Sequence, residues 1–293
     1  MPNLIKLFSS KKLSLDIRNA AQDFMGGCPK YSTDHVLSFN EDDFEKVGEC
    51  DLHNFSIKWG LDYGRVKKGW GLRNFSLLAI DMDSTLIDVE CIDEMAKIVN
   101  RYAEVSSLTF EAIHGREFNY ESSIKDRTLM LRGLQTSTFP SFLQNNIRLS
   151  KGAESLLNAI TYIGLKAIIV SGGFSFVAEF LAANLPISDY FAHELEYAEN
   201  ALTGNIIGSI ITADKKIEIV RNYCASMGVG LESVIAVGDG ANDFQMLKNS
   251  GLGVGVRPKD ALRPACSIVL NHFGLDVILL ALDEEALFFK FHK

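Results

Sequence analysis

The chain has 293 residues, 47% hydrophobic and 23% charged, a globular balance that excludes wholesale disorder and suits two domains or one large α/β domain with an insertion. Twenty-nine basic against 37 acidic side chains leave a net charge of −8, which disfavours a nucleic-acid partner. A small phosphate ester stays within reach if a metal or a local group of donors supplies the positive field.

In chain order, Lys11 and Lys12 arrive before any apolar segment of signal-peptide length, which argues against secretion. Lys6, Lys11, Lys12 and Arg18 against Asp16 alone give only a loose likeness to an organelle-targeting segment, so a cytoplasmic protein is expected. Residues 1–74 mix short apolar stretches (Asn3–Phe8, Val36–Phe39) with an acidic Glu41-Asp42-Asp43 and end glycine-rich, from Gly60 to Gly71. They read as a small N-terminal α+β module joined near Arg73, with nothing catalytic in it.

From Phe75 the pattern is regular. Leu77–Ile80 ends in Asp81, Ala167–Val170 in Ser171-Gly172-Gly173, and Val234–Val237 in Gly238-Asp239-Gly240. Continuous apolar runs of this length fit strands buried on both faces of a parallel sheet. Leu156, Leu157, Ile160 and Ile163 share a helical face before the second run, as do Ile217, Val220, Cys224 and Met227 before the third, with Gly228 as a stop. The alternation predicts a doubly wound α/β sheet, whose ligands bind beyond the carboxyl ends of its strands.

About seventy residues separate the first strand from the helix at Leu156, far more than a crossover needs. Val89, Ile92, Ala96, Val99 and Ala103 keep helical spacing, as do Ile124 and Leu131 with Arg127 between them. A helical cap over residues 89–148 is therefore expected, inserted into a core of residues 75–88 and 149–293. Leu195–Tyr197 and Ile206–Ile211, around Glu199-Asn200 and Thr203-Gly204, suggest a β-hairpin. No apolar run approaches the roughly 20 residues of a membrane-spanning helix.

Asp81-Met82-Asp83 places two carboxylates at a buried strand end. Such neighbours repel unless a cation lies between them or one is protonated, and Mg²⁺ suits the oxygen donors. One carboxylate could then attack phosphorus while the other handles the leaving group's proton. Helix-start capping is the plainer use of Asp-Ser-Thr. Gly238-Asp239-Gly240-Ala241-Asn242-Asp243 adds a second acidic pair; it lacks the third glycine of a dinucleotide fingerprint, and Asp243 would repel a pyrophosphate. Gly251-x-Gly253-x-Gly255 lacks that spacing too and reads as a packed strand. Ser171-Gly172-Gly173 offers a hydroxyl and open N–H groups to an anion, and Lys216 a cation, although a turn and a solvated surface charge are the ordinary uses of such residues. The five cysteines and six histidines show no metal-ligand spacing and are expected to be structural.

Taken in order, Asp81-x-Asp83-Ser-Thr, Ser171-Gly-Gly, Lys216 and Gly238-Asp239-Gly-Ala-Asn-Asp243 resemble the four motifs of haloacid-dehalogenase-like phosphatases. Glu90-Cys-Ile-Asp-Glu, Arg127 within Tyr-Glu-Ser-Ser-Ile-Lys-Asp-Arg, and Leu-Thr-Gly followed by Asn-Ile-Ile-Gly extend the likeness to the phosphoserine phosphatase family, over roughly residues 75–280. The resemblance implies hydrolysis of O-phosphoserine, the last step of serine biosynthesis. Asp81 would be the nucleophile and Asp83 the acid, then the base. Mg²⁺ would be held by Asp81, the Asp83 carbonyl and Asp239, with Asp243 steadying the shell. Ser171, Gly172 and Lys216 would hold the phosphoryl oxygens, with Asn242 near the substrate. Glu90 would meet its ammonium and Arg127 its carboxylate, a pairing that guanidinium geometry suits; a solvated salt bridge within the cap is the plainer fate of both.

Lys215 could take the place of Lys216, but the Lys216-x-x-x-Val220 spacing favours the latter. The segment Ile113–Tyr120 is one residue longer than the family's usual spacing and carries His114 and Tyr120 near places where methionine and phenylalanine are common. The same chemistry on another small phosphate ester, or a binding protein on this scaffold, are the competing readings. Phosphoserine phosphatases of some bacteria carry an N-terminal module resembling an amino-acid-binding ACT domain, of which residues 1–74 could be a short version without a visible ligand site; serine binding, a homodimer contact and shielding of an apolar surface are its alternatives.

Overall fold

The structure is a computed structural model and describes residues 3–44, 47–114 and 120–292. Alternation builds its first strand, β1 (Asn3–Phe8): Ile5 and Leu7 enter a core with Leu37, Phe39, Leu52 and Leu61, while Phe8 enters a second core on the opposite face. A period of two is what a strand covered on both sides requires. There follow α1 (Leu15–Met25), β2 (Tyr31–Ser32), β3 (Val36–Asn40), α2 (Glu49–Trp59) and β4 (Asp62–Lys67). Ser14 caps α1 by accepting the Ile17 N–H, and left-handed Gly26 and Gly60 close α1 and α2. The antiparallel order β2-β3-β1-β4 is that of a split β-α-β unit.

β5 (Leu77–Ile80) begins the parallel part. It is followed by α3 (Cys91–Ile98), α4 (Tyr102–His114), α5 (Tyr120–Leu129), α6 (Phe139–Asn146), α7 (Ala153–Tyr162), β6 (Lys166–Phe174) and α8 (Ser175–Asn184). Then come β7 (Asp189–Ala198), β8 (Ala201–Ile207), α9 (Ala213–Met227), β9 (Val234–Gly238), α10 (Phe244–Asn249), β10 (Leu252–Val256), β11 (Ile268–Leu270), α11 (Ile278–Ala281) and α12 (Glu285–Phe291). Strands β11-β10-β9-β5-β6-β7 lie side by side and parallel, and β8 pairs antiparallel with β7. The expected doubly wound sheet is present, and the three apolar runs form β5, β6 and β9. Gly228 ends α9 at φ 71°, and the Gly251–Gly255 stretch is strand β10.

Two expectations shift. The hairpin turns at Glu199-Asn200, whose φ values of 51° and 65° suit a two-residue type I′ connection. Its second strand therefore starts at Ala201, not Ile206, and stops before Gly208. Helix α5 ends at Leu129, so Leu131 is buried from the following turn instead of from the helix.

The N-terminal strands are not set apart: β4 pairs antiparallel with β11, making one eleven-stranded sheet. Buried charges reinforce that seam. Lys6 donates to the Ala281 carbonyl at 2.8 Å and pairs with Asp283 at 2.7 Å. Asp62 accepts the N–H groups of Asn271, His272 and Phe273 at 2.7, 2.9 and 3.2 Å.

Between β5 and α7 the chain rises into α3–α6 and returns beside its point of exit, Asp88 N–H donating to the Arg148 carbonyl at 3.0 Å and Ile87 bridging Leu149. Its far end is fastened to the hairpin, where Gly133 and Thr136 donate to the Leu202 and Asn200 carbonyls at 2.8 Å each. Among the described residues, no helix is long and apolar enough to cross a membrane.

Candidate active site

Because β5 is flanked by β6 and β9, the ends carrying Asp81, Ser171-Gly172 and Asp239 stand next to one another. A five-residue turn (Met82–Leu86) follows Asp81, with Ser84 in the left-handed region at φ 55°. On β6 the register with β7 shifts between Val170 and Phe174, which takes Ser171–Gly173 out of the ladder. Bulges of this kind re-aim side chains beside active sites.

Lys216, in the first turn of α9, is completely buried behind these ends. Its ammonium lies 2.8 Å from Asp81 Oδ1 and 2.7 Å from Asp243 Oδ1. Burial alone would lower the lysine pKa, but the Asp243 and Asp81 carboxylates hold it above its ordinary value. Two of its three N–H groups are thereby used, leaving one for an anion in front of Asp81. Lys215 instead pairs at the surface with Glu218 at 2.7 Å, so the structure places Lys216, not its neighbour, in the cluster.

Asp243 is also fully committed. Its Oδ2 accepts the N–H groups of Asp239 and Gly240, both at 3.2 Å, while Oδ1 takes Lys216. Oxygen atoms of Asp81, Asp239 and Asp243 all fall within 4.8 Å of one another. Burial first, then the charges of Asp243 and Asp81, push Asp239 well above the usual carboxylate range. Burial, followed by the Glu90 charge, does the same to Asp83, which also accepts from the thiol and N–H of Cys91. Crowded carboxylates with only oxygen donors fit a hard divalent cation. With both Asp243 oxygens occupied, Asp81 and Asp239 are the side chains free to face one.

The other wall of the cavity comes from the α3–α6 segment. Glu90, just before α3, accepts from Ser84 Oγ at 2.7 Å, and burial raises its carboxyl. Arg127, buried on α5, donates to Thr109 Oγ1 at 3.1 Å, and Thr109 donates onward to Asp93 Oδ1 at 2.7 Å. Among the described residues Arg127 has no carboxylate in ion-pair contact, so the solvated salt bridge is not what this pair forms. Thr109, which orients the guanidinium, carried no signal of its own in the sequence, and Asp93 stood there only inside the Glu90-Cys-Ile-Asp-Glu run.

The cavity encloses about 1080 Å³, and Asp81, Asp83, Glu90, Arg127, Ser171, Gly172, Asp239 and Asn242 all line it. Lys216 and Asp243 lie directly behind that lining. All ten residues singled out in the sequence are thus brought together. Gly115–Asn119 lie outside the described residues, as do the side chains of Ile113 and His114, so the long spacing noted there is not placed.

His193 on β7 is a functional neighbour that the sequence reading left as merely structural. Its Nε2 accepts the Ile211 N–H at 2.8 Å, so Nδ1 carries the proton and donates to the Gly172 carbonyl at 2.9 Å. The neutral ring ties the Ser171–Gly173 turn to the segment leading into α9. Burial, foremost, pulls it from 6.5 down to about 4. A folded value below the unfolded one means that its contribution is complete above pH 6.5 and is lost as pH falls toward 4, by up to roughly 3 kcal/mol. His193→Gln should therefore flatten the melting-temperature profile between pH 6.5 and 4; parallel profiles for the two proteins would show that the folded ring is not held neutral.

The family model described as haloacid dehalogenase-like hydrolase matches residues 78–248. A phosphoserine phosphatase of Polaromonas sp. (strain JS666) is 35% identical over 212 residues, 71% of this chain and 90% of that protein. A solved structure described as a phospho-aspartyl intermediate analogue of phosphoserine phosphatase is 31% identical, with a TM-score of 0.67 over 71% of this chain and 99% of its own. A haloacid-dehalogenase-family hydrolase of Salmonella enterica serovar Typhi has a TM-score of 0.82 over 97% of this chain and 99% of its own; at 24% identity it shares the fold, N-terminal strands included.

Proposed function

The chain belongs to the haloacid dehalogenase-like hydrolase family, and from that premise we propose that it hydrolyses O-phospho-L-serine to L-serine and phosphate through a phospho-Asp81 intermediate. The observation that carries this reading is the single cavity in which Asp81 faces both a buried arginine, Arg127, and a carboxylate, Glu90. A zwitterionic amino acid esterified to phosphate needs those three groups in one place.

In the first displacement an Asp81 oxygen attacks phosphorus and the ester P–O bond breaks. The serine oxygen leaves with the proton of Asp83, a carboxyl that burial pushes well above the usual carboxylate range. In the second, water attacks the same phosphorus, gives its proton to Asp83, and the Asp81–phosphorus bond breaks to release phosphate. Ser171, Gly172 and the remaining N–H of Lys216 hold the phosphoryl oxygens, with Asn242 at the rim. Asp81, Asp239 and the Asp83 carbonyl would hold Mg²⁺, which when bound neutralises phosphoryl charge; Asp243 steadies Lys216 and the turn at Asp239. The reading includes a cytoplasmic place in serine biosynthesis, an N-terminal module of residues 1–74, and a phosphatase unit of residues 75–293 with its cap at 89–148. The seam between β4 and β11 favours a shielding role for that module.

The test is phosphate release from L-phosphoserine, p-nitrophenyl phosphate and a sugar phosphate, with Mg²⁺ and then EDTA. Phosphoserine should be preferred and all turnover lost on chelation. Arg127→Gln removes a charged two-pronged donor and should lower kcat/KM for phosphoserine roughly a hundredfold or more, leaving p-nitrophenyl phosphate within about threefold. Equal losses on both esters would end the assignment of Arg127 to the substrate carboxylate, and with it the choice of serine.

A further inference from the structure

Gly172 does not take a left-handed φ; what marks it is the side chain that lies on it. A Cβ there would stand 2.0 Å from the Tyr120 hydroxyl and 3.2 Å from its Cζ. The tip of the phenol thus rests on the strand end that presents Ser171 and Gly172. Tyr120 opens α5, and Tyr120, Ile124 and Arg127 line the cavity together, the spacing of one helical face. A single helix therefore lays a phenol over the phosphoryl end of the cavity and a guanidinium over the other end. Burial pushes the phenol up to about 12, against the pull of Lys216 and Arg127, so it stays a hydrogen-bond donor in neutral solution.

We propose that the Tyr120 hydroxyl donates a hydrogen bond to a non-bridging phosphoryl oxygen held at Ser171 and Gly172, so that the cap recognises the phosphate itself. The proposal rests on the phosphatase reading of this site but not on the identity of the alcohol. Arg127 meets only a substrate with a carboxylate, whereas the Tyr120 contact is common to any phosphate ester, to phospho-Asp81 and to inorganic phosphate. The cap then keeps a hold on the site after the alcohol has left, when water must be admitted for the second displacement.

Tyr120→Phe removes one oxygen and keeps the ring. With Mg²⁺ present, its kcat/KM should fall roughly ten- to a hundredfold on L-phosphoserine and on p-nitrophenyl phosphate alike, and competitive inhibition by inorganic phosphate should weaken by a similar factor. Should the wild-type enzyme prefer another ester, the serine assignment fails, while equal losses on both esters would still support the hydroxyl's role. Changes within twofold on both esters and on phosphate would overturn the proposal, as would a gain in activity, which would make the hydroxyl an obstruction. Loss confined to phosphoserine would move it to the amino-acid end and overturn it equally. Tyr120→Leu separates ring from hydroxyl: Phe and Leu should be impaired alike, whereas loss in Leu alone would assign the effect to packing.

Discussion

Asp81→Asn should abolish phosphate release from every ester, by roughly 10⁴-fold or more, while the protein keeps its fold. An amide oxygen is too weak a nucleophile to form the acyl phosphate, and no second carboxylate can take its place. Asp83 is held by Cys91, Asp243 is spent on Lys216 and two N–H groups, and Asp239, just after β9, is the other side chain left to face a cation. The fold should survive because Lys216 retains Asp243 at 2.7 Å, and because one charge leaves a crowd of buried carboxylates. The melting temperature is expected to stay within a few degrees of the wild type or to rise. Phosphate release and thermal unfolding, measured on one preparation, check both halves. Activity above about one percent in a well-folded variant would place the nucleophile elsewhere.

How much of this was visible in the sequence depends on the distance over which each residue acts. Strands β5, β6 and β9 were legible because both their faces are buried, which writes an unbroken apolar run. β4 was not. Asp62-Tyr63-Gly64-Arg65-Val66-Lys67 looks like part of a glycine-rich loop, and it is a strand because β1 and β11 pair with it on either side. Asp62 can be buried only because Asn271, His272 and Phe273 donate to it from more than two hundred residues away. Tertiary context of that kind overrides local propensity.

The site divides in the same way. Carboxylates crowded at strand ends announce a metal from their local spacing, and Lys216 needed the resemblance to stand out from Lys215. Arg127, one charge on helix α5, was legible only through the resemblance. His193 is 21 residues from Gly172 and 18 from Ile211, so nothing in its neighbourhood marks it. Asp93 reaches Arg127 only through Thr109, which is 16 residues from one and 18 from the other. Residues that orient another group leave no local pattern, and here they were visible only once the fold had brought them together.

Lys216→Met should damage catalysis and stability together, unlike the change at Asp81. For catalysis, the loss of a fixed cation facing the transferring phosphoryl group is expected to lower kcat about 10²–10³-fold. For stability, the variant leaves Asp243, with no exposed surface, facing a methionine in place of an ammonium, and breaking a buried pair from one side costs about 3–5 kcal/mol. Lys216→Arg is no remedy, since a planar guanidinium does not fit a completely enclosed ammonium site. The double variant Lys216→Met/Asp243→Asn separates the two effects. With the orphaned charge removed, part of the lost stability should return, while activity stays low because the phosphoryl group still lacks its cation. Urea midpoints and phosphate release across wild type, both singles and the double give the coupling directly. A Lys216→Met protein as stable as the wild type would mean that water reaches Asp243, and the buried ion pair would then no longer explain why this lysine sits where it does.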